Sequence, residues 1–496
     1  MLELKNINLT LRQTDRKLID SFNFTLHPGD KAVMIGEEGN GKSTLLQFIN
    51  DRASIEAYCE CAGQIIAKGN LGYLPQNPPE ELLKQSVGEN RLGLREDQRI
   101  GTLSGGEKIK LQLERILATR PDILLLDEPT NDIDIEALEW LESFIKSCRQ
   151  PLLYVSHDET LIERTANTII HIEQLVRKTK PRITVAHTDY AHYAKTRQLS
   201  FDKQMQVARK QRSDHRAQVE RWQKIHDRVD HQQKSVSRQD PHGGKMLKRK
   251  MKQVKSTKRR LDKESQDFAD IPQMEEAILT KFDPSTALPA GKVVLDLQIP
   301  QLTAEGRILA SNIKLKIMGG EKIGIIGKNG AGKTTLLRKI WQNLKERRDI
   351  RAAYMPQDYQ ELFGSQASNN QASAIDFLAP DAKKENTQQV RTYLGSMKFT
   401  KEEMTAPLSK LSGGQRAKVL FLDMVLKSAN VLILDEPTRN FSPLSNPVIR
   451  NTLSNFGGTI ISVSHDRKYL SEVCEKIFEL DQDQDLGALP QTPRTF

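Results

Sequence analysis

The stretch Lys31-Ala-Val-Met-Ile-Gly36-Glu-Glu-Gly39-Asn-Gly41-Lys42-Ser43-Thr44 decides the fold. Its first five residues read as a buried strand. They run into G-x-x-x-x-G-K-[ST] and then a helical pattern, the context that this motif requires. The glycines let the backbone curl so that successive N–H groups point at phosphate oxygens, and the following helix adds its positive N-terminal end. The stretch recurs as Lys322-Ile-Gly-Ile-Ile326 followed by Gly327-Lys-Asn-Gly330-Ala-Gly332-Lys333-Thr334-Thr335. Gly36, Gly39 and Gly41 form one expected cradle, and Gly327, Gly330 and Gly332 the other. Lys42 and Lys333 are expected to reach the β- and γ-phosphates of a bound nucleotide, the hydroxyls of Ser43 and Thr334 to coordinate Mg²⁺, and Thr44 and Thr335 to line the same loops. One match arises by chance; two, inside a longer internal repeat, do not.

The repeat continues downstream. Ile123-Leu-Leu-Leu-Asp127-Glu128 and Val431-Leu-Ile-Leu-Asp435-Glu436 are apolar runs ending in two carboxylates. Asp127 and Asp435 suit the Mg²⁺ shell, while Glu128 and Glu436 are placed to orient and polarise an attacking water. Adjacent carboxylates at a strand end can be only a solvated turn, but downstream of a phosphate loop, twice, the catalytic reading is favoured.

Between the two copies lies a segment of different character. From Arg177 to Phe268 there are 26 Lys and Arg against 10 Asp and Glu, a net +16, whereas the whole chain carries +10. Phe201, Met205, Ala208, Arg212, His215, Val219, Trp222, His226 and Val229 recur in steps of 4 and 3, as do Leu247, Met251, Val254, Lys258 and Leu261. That spacing puts each set on one helix face and suits two antiparallel helices packed along a seam. Asp240-Pro241-His242-Gly243-Gly244 reads as the break between them, with a tip near 230–244. The lopsided charge favours a nucleic-acid-binding element over a solvated linker.

At 496 residues, 37% apolar and 28% charged, the chain is long enough for two or three domains. No run approaches the ~18 apolar residues of a membrane span, and the start MLELKNINLT lacks the layout of a secretion signal. Cys59, Cys61, Cys148 and Cys474 have no metal-ligand spacing and read as incidental reduced thiols. A cytoplasmic protein without a membrane partner is expected.

Leu103-Ser104-Gly105-Gly106-Glu107 and Leu411-Ser412-Gly413-Gly414-Gln415 each open an amphipathic helix. With them the sequence resembles a tandem ABC-type ATPase. The resemblance implies an α/β fold: two tandem ABC-type P-loop ATPase modules, 1–180 and 288–484, joined by an antiparallel α-helical hairpin linker at 181–287, with a short tail at 485–496. It implies that each signature (Ser104, Gly105, Gly106; Ser412, Gly413, Gly414) faces the phosphate loop of the other module, closing two ATP sites. It makes Gln76 and Gln357 the residues that sense metal and water, and His157 and His465 the histidines at the γ-phosphate. Two positions depart from the family pattern. Neither Arg12–Lys17 nor Leu302–Arg307 contains the aromatic ring usually offered to adenine, and Ser442 stands where the first module keeps Asp134. The two sites are therefore expected to differ in rate.

Three kinds of tandem ATPase compete: the ribosome-associated ABC-F group, the fused ATPase subunit of a membrane importer, and a DNA-repair ATPase. An importer subunit has no use for a +16 hairpin between its modules. It also needs a full helical subdomain between Gln and signature, yet Gln76 to Leu103 spans 27 residues, against 54 from Gln357 to Leu411. The repair reading predicts zinc-type cysteine sets or longer coiled coils, which are absent. His187-Thr-Asp-Tyr190-Ala-His-Tyr193 resembles the start of ABC-F linkers, and Asp435-Glu-Pro-Thr-Arg-Asn-Phe-Ser-Pro-Leu-Ser-Asn-Pro447 resembles the second module of the Vga/Lsa-type antibiotic-resistance branch. This implies a monomer with intramolecular module pairing that docks on the bacterial 70S ribosome, at rRNA and P-site tRNA near the exit site. Arg238, Lys245, Lys248, Arg249, Lys250 and Lys252 are its expected ribosome contacts. Protection from lincosamides, pleuromutilins and streptogramin A would follow. A housekeeping translation factor of the same group is the alternative.

Overall fold

The computed structural model describes residues 1–76, 104–175, 179–235, 241–265, 268, 282–283, 285, 287–304, 306–359, 361–363, 372–381 and 383–480. In the first module β1 (Leu2–Leu11) pairs antiparallel with β2 (Lys17–Leu26) and β4 (Cys59–Ala67). A second, six-stranded sheet contains β3 (Lys31–Ile35), β5 (Leu71–Leu74), β6 (Ile123–Asp127), β7 (Leu152–Val155), β8 (Thr168–Gln174) and β9 (Lys180–Ala186), in the order β5-β6-β7-β3-β8-β9. It is parallel except for β9, which runs antiparallel to β8. The central strands are apolar without alternation because both their faces are covered: every residue of β3, β6 and β7 is buried. Helix α1 (Lys42–Asn50) sends Leu45, Leu46, Phe48 and Ile49 into a core shared with both sheets. Strand β9 spans Lys180–Ala186, so the sheet of the first module continues past the expected boundary at residue 180.

Helices α2 (Gly105–Ala118), α3 (Ile135–Ser147) and α4 (Glu159–Thr165) complete the first module, and α5 (Tyr190–Ser235) and α6 (Pro241–Glu264) form the intervening segment. The second module repeats the plan. A ribbon of β10 (Val293–Ala304) and β11 (Arg307–Met318) accompanies a parallel sheet of β12 (Lys322–Ile326), β13 (Ala352–Met355), β14 (Val431–Asp435), β15 (Thr459–Val463) and β16 (Lys476–Glu479), ordered β13-β14-β15-β12-β16. Helix α7 (Lys333–Leu344) follows its phosphate loop. The 54-residue spacer holds α8 (Ala374–Leu378), α9 (Lys384–Ser396) and α10 (Lys401–Thr405), which close over their own core of Ile375, Leu378, Leu394, Met397 and Phe399. The signature helix α11 (Gly413–Leu426), then α12 (Asn446–Ser454) and α13 (Arg467–Val473), follow.

Residues Ala191–Met274 form a compact unit of their own. Within it the seam follows the predicted 4/3 spacing. Ala208, Val229, Met251, Val254 and Leu261 are buried, and His215 and Trp222 donate across it to the Leu261 and Val254 carbonyls at 3.2 and 2.8 Å. Those two pairs make the helices antiparallel. Lys258 lies 5.1 Å from the Trp222 ring, so a seam position that looked misplaced is filled by a cation–π contact. Arg212, by contrast, is exposed.

The expected break is narrower than 230–244. Helix α5 continues to Ser235 and α6 already begins at Pro241, so His242, Gly243 and Gly244 lie in its first turn. Proline is tolerated there because the missing N–H would have no intrahelical partner. Val229 is buried in the seam, not part of a loosely packed tip. No helix among the described residues is long and apolar enough to cross a membrane.

Candidate active sites

Sheet order alone assembles each site. In the first module Gln76 follows β5, Asp127 and Glu128 end β6, His157 follows β7 and the phosphate loop follows β3. These four strands are parallel neighbours, so their carboxyl ends open at one edge. Strands β13, β14, β15 and β12 do the same for Gln357, Asp435, Glu436, His465 and the second loop.

At the first site Gly36, Gly39 and Gly41 all have positive φ, 143°, 80° and 94°. A Cβ on Gly36 would meet the Ile172 carbonyl oxygen at 2.2 Å, so only glycine fits. The Lys42 ammonium bridges the Gly36 and Glu37 carbonyls at 2.8 and 3.1 Å, which holds it over the cradle. Ser43 donates to Asp127 Oδ1 at 2.9 Å. Glu128 Oε2 accepts from Gln76 at 2.8 Å and Asn131 at 2.6 Å, and His157 Nε2 is 3.3 Å from its other oxygen. Burial works to raise the pKa of Glu128, but His157, Lys42 and Asn131 outweigh it and hold it at about 2. Burial lifts that of Asp127 to about 6. His157 Nδ1 also lies 2.7 Å from the backbone oxygen of Phe441 in the second module.

The second site has the same parts in a different electrostatic setting. Gly327, Gly330 and Gly332 have positive φ, and Lys333 caps the Gly327 and Lys328 carbonyls at 2.8 and 2.9 Å. Thr334, Thr335, Gln357, Asp435, Glu436 and His465 line one cleft of about 410 Å³, against about 220 Å³ at the first site. Among the described residues Glu436 receives two side-chain contacts of 3.4 Å, from Ser464 Oγ and the His465 N–H, and His465 Nε2 is 3.9 Å away. Its Oε1 is buried without a hydrogen bond. Burial and the neighbouring Asp435 charge push its pKa up to about 8, and burial lowers that of His465 to about 4. The position that Asn131 fills in the first module is Arg439 here, and Arg439 reaches Asp132 of the first module at 3.0 Å.

Each signature helix starts with a capping box. Ser104 accepts from the Glu107 N–H and Ser412 from that of Gln415, both at 3.3 Å, so both hydroxyls are engaged in the cap. Gly413 and Gly414 border Glu38 in the loop of the first module, and the Gly414 N–H donates to Glu38 Oε2 at 2.8 Å. Gly105 lies near Asn329 in the loop of the second, and a Cβ on it would strike the Asp132 carbonyl oxygen; Gly106 packs on Ala137. The structure thus brings each signature to the opposite phosphate loop. Leu103 lies outside the described residues. Where the sequence lacks an adenine-facing aromatic ring, Leu18 packs on Gly41, and Leu309 packs on Gly332 and lines the second cleft.

The Oδ2 atoms of Asp127 and Asp435 are buried without a hydrogen bond. Each offers a free carboxylate oxygen close to the phosphate loop, a fit for Mg²⁺, which takes one or two carboxylates plus substrate phosphates rather than a full protein cage. Among the described residues no cluster of three or more His, Cys, Asp or Glu could hold a metal alone. Lys245, Lys248, Arg249, Lys250 and Lys252 are exposed, as are Gln232 and His242; Arg238 lies outside the described residues. Sequence reasoning passed over Asn131, Glu37, Glu38 and Lys418. The acidic pair was visible as Glu37-Glu38 where the second loop has Lys328-Asn329.

Comparison with known proteins agrees with this geometry. The ABC transporter family matches residues 19–131 and 310–439. The ATP-binding protein Uup of Buchnera aphidicola is 26% identical, covering 96% of this chain and 80% of that protein. The ribosome protection protein VmlR of Bacillus subtilis is 29% identical, covering 94% and 84%. The archaeal ribosome recycling factor aABCE1, solved in complex with the ribosomal stalk protein aP1, shares the fold at TM-score 0.56 and 14% identity, over 97% of this chain and 88% of that one. The chain is an ATP-hydrolysing enzyme of two tandem ABC modules.

Proposed function

We propose that this ATPase is a ribosome-protection factor of the Vga/Lsa type. The observation that carries the proposal is the +16 segment with its helical hairpin, inserted in the sequence between the two ATPase modules, with Lys245, Lys248, Arg249, Lys250 and Lys252 exposed on it. Such a charge has a natural target in the phosphate backbone of RNA, which it contacts without reading sequence. The similarity to VmlR supports the reading. So does the loop Arg439-Asn-Phe-Ser442-Pro.

In this mechanism the phosphate-loop N–H groups with Lys42 and Lys333 bind the phosphates of ATP, and the opposite signature closes each site. Ser43, Gln76 and Asp127, and Thr334, Gln357 and Asp435, would hold Mg²⁺, which supplies positive charge to the phosphoryl oxygens. Glu128 and Glu436 accept a proton from the attacking water. His157, in contact with both Glu128 and the Phe441 carbonyl, couples that carboxylate to closure of the modules. The ATP-closed form docks near the exit-site tRNA and directs the hairpin toward the peptidyl-transferase centre, and hydrolysis releases it. Lincosamides, pleuromutilins and streptogramin A are the drugs it would displace.

Co-sedimentation of the Glu128→Gln, Glu436→Gln protein with 70S ribosomes tests the docking step. The amides keep the shape of the sites and remove the base, so ATP should retain the protein on ribosomes. Release equal to that of the parent protein, or partition into membranes, would refute it.

A further inference from the structure

The two phosphate loops meet the opposite module with opposite charge. At the second site the loop brings Lys328 and Asn329, and the facing loop of the first module brings Asp132, Asp134 and Glu136. The Asn329 N–H points to Asp134 Oδ2 at 3.4 Å, its side chain donates to the Asp132 carbonyl at 2.6 Å, and Lys328 lies 3.7 Å from Glu136. At the first site the signs are exchanged. The phosphate loop brings Glu37 and Glu38, and the second module answers with hydroxyls, N–H groups and a cation. Glu37 Oε1 accepts from Ser442 at 3.1 Å and from Ser445 at 2.5 Å, and the Lys418 ammonium is 4.0 Å from Oε2. Glu38 takes the Gly414 N–H at the start of α11.

These contacts are not a solvated charge cluster. Glu37 is 7% exposed, and Ser442, Ser445 and Lys418 are 1%, 0% and 6% exposed. A buried carboxylate needs its lone pairs and its charge satisfied, and here Ser442, Ser445 and Lys418 of the second module do much of this. Burial opposes the charge on Glu37. Lys418, the two hydroxyls and Lys42 outweigh that cost and hold its pKa below the ordinary value. An Asp at position 442, the residue the first module has at 134, would set two carboxylates against each other in this enclosure. Ser442 is thus the complement of Glu37.

We propose that Glu37 is a positioning residue of the first ATP site. It supplies from the phosphate loop the carboxylate that the second module lacks at Ser442, and together with Glu38 it seats the signature helix α11 over that site. The inter-module carboxylate is then present at both sites but comes from opposite partners.

A charge-transplant cycle in a Glu436→Gln background, where turnover reports the first site, tests this. The variants are Ser442→Asp alone, Glu37→Lys with Glu38→Asn, and all three changes together, which rebuild the second-site pairing at the first. Each partial exchange should lower kcat about tenfold or more, within the range for directly coupled neighbours, with a smaller change in KM. The combined variant should return to within about threefold of its parent. Partial effects that simply multiply in the combined variant would overturn the proposal. Glu37→Gln, which keeps size and removes charge, guards against misfolding: it should remain folded by circular dichroism and still bind ATP while losing kcat, and parental turnover would also overturn the proposal. Loss of turnover when Glu128→Gln is added separately checks that this background reports the first site.

Discussion

Replacing Glu128 by Gln leaves turnover to the second site and should make it strongly pH-dependent. The proposed base there is Glu436, whose pKa is raised to about 8 by burial and by Asp435. A carboxyl must be ionised to accept a proton, so activity has to rise as pH passes through that value. At pH 7 roughly one part in eleven of Glu436 is ionised, at pH 8 about half, and at pH 9 about ten parts in eleven. Turnover of the Glu128→Gln protein should therefore climb about fivefold from pH 7 to 8 and about tenfold from pH 7 to 9. The converse variant, Glu436→Gln, relies on Glu128, which His157, Lys42 and Asn131 hold at about 2, and should be level from pH 6 to 9. At pH 7 it should also be the faster of the two. The assay is kcat at saturating ATP and Mg²⁺ across this range at constant ionic strength. Superimposable profiles, or a level profile for Glu128→Gln between pH 7 and 9, would refute the electrostatic distinction between the sites.

Three further outcomes follow. Arg450 is 3% exposed and joins Glu159 of the first module at 2.7 Å and Glu472 at 2.8 Å, while Lys468 stays on Glu159 at 2.9 Å, so Arg450→Ala should cost about 1.5–3 kcal/mol in urea unfolding, and under about 0.5 kcal/mol would contradict this. Changing Lys248, Arg249, Lys250 and Lys252 to Gln should flatten the log–log salt dependence of ribosome binding by about 3, at roughly 0.7–0.9 per phosphate contact, and an unchanged slope would mean that they face only solvent. Deleting 233–242 and rejoining the helices with a short Gly-containing turn spares the buried seam at Val229, Met251 and Val254. It should preserve ATPase activity and most ribosome affinity while abolishing drug protection in cells, and wild-type resistance from that variant would place the effector elsewhere.

The strands and phosphate loops were legible because their signals are local. Ile123-Leu-Leu-Leu-Asp127 can only be a strand covered on both faces, and a glycine-rich turn before Lys42 has few other uses. The hairpin seam was legible for the same reason, apart from the cation at Lys258, whose partner Trp222 is set by packing. The start of α6 was misread because Pro241 and two glycines signal a break by composition, yet the first turn of a helix accepts them. The reach of β9 was hidden because antiparallel pairing with β8 leaves no motif. The difference between Glu128 and Glu436 was least legible. It depends on Asn131 against Arg439 and on hydrogen-bond lengths, and a linear pattern carries neither. Ser442 stood out as a departure, but its complement Glu37 lies 405 residues away and is brought to it only by the pairing of the modules.

In the proposed function ATP closure places the hairpin inside the ribosome. Electron cryomicroscopy of the Glu128→Gln, Glu436→Gln protein bound with ATP to 70S ribosomes tests it most directly. Both modules should lie beside the exit-site tRNA, with α5 and α6 running toward the peptidyl-transferase centre and Lys248, Arg249, Lys250 and Lys252 against RNA phosphates. Ribosomes without bound protein, or a hairpin pointing into solvent, would contradict it.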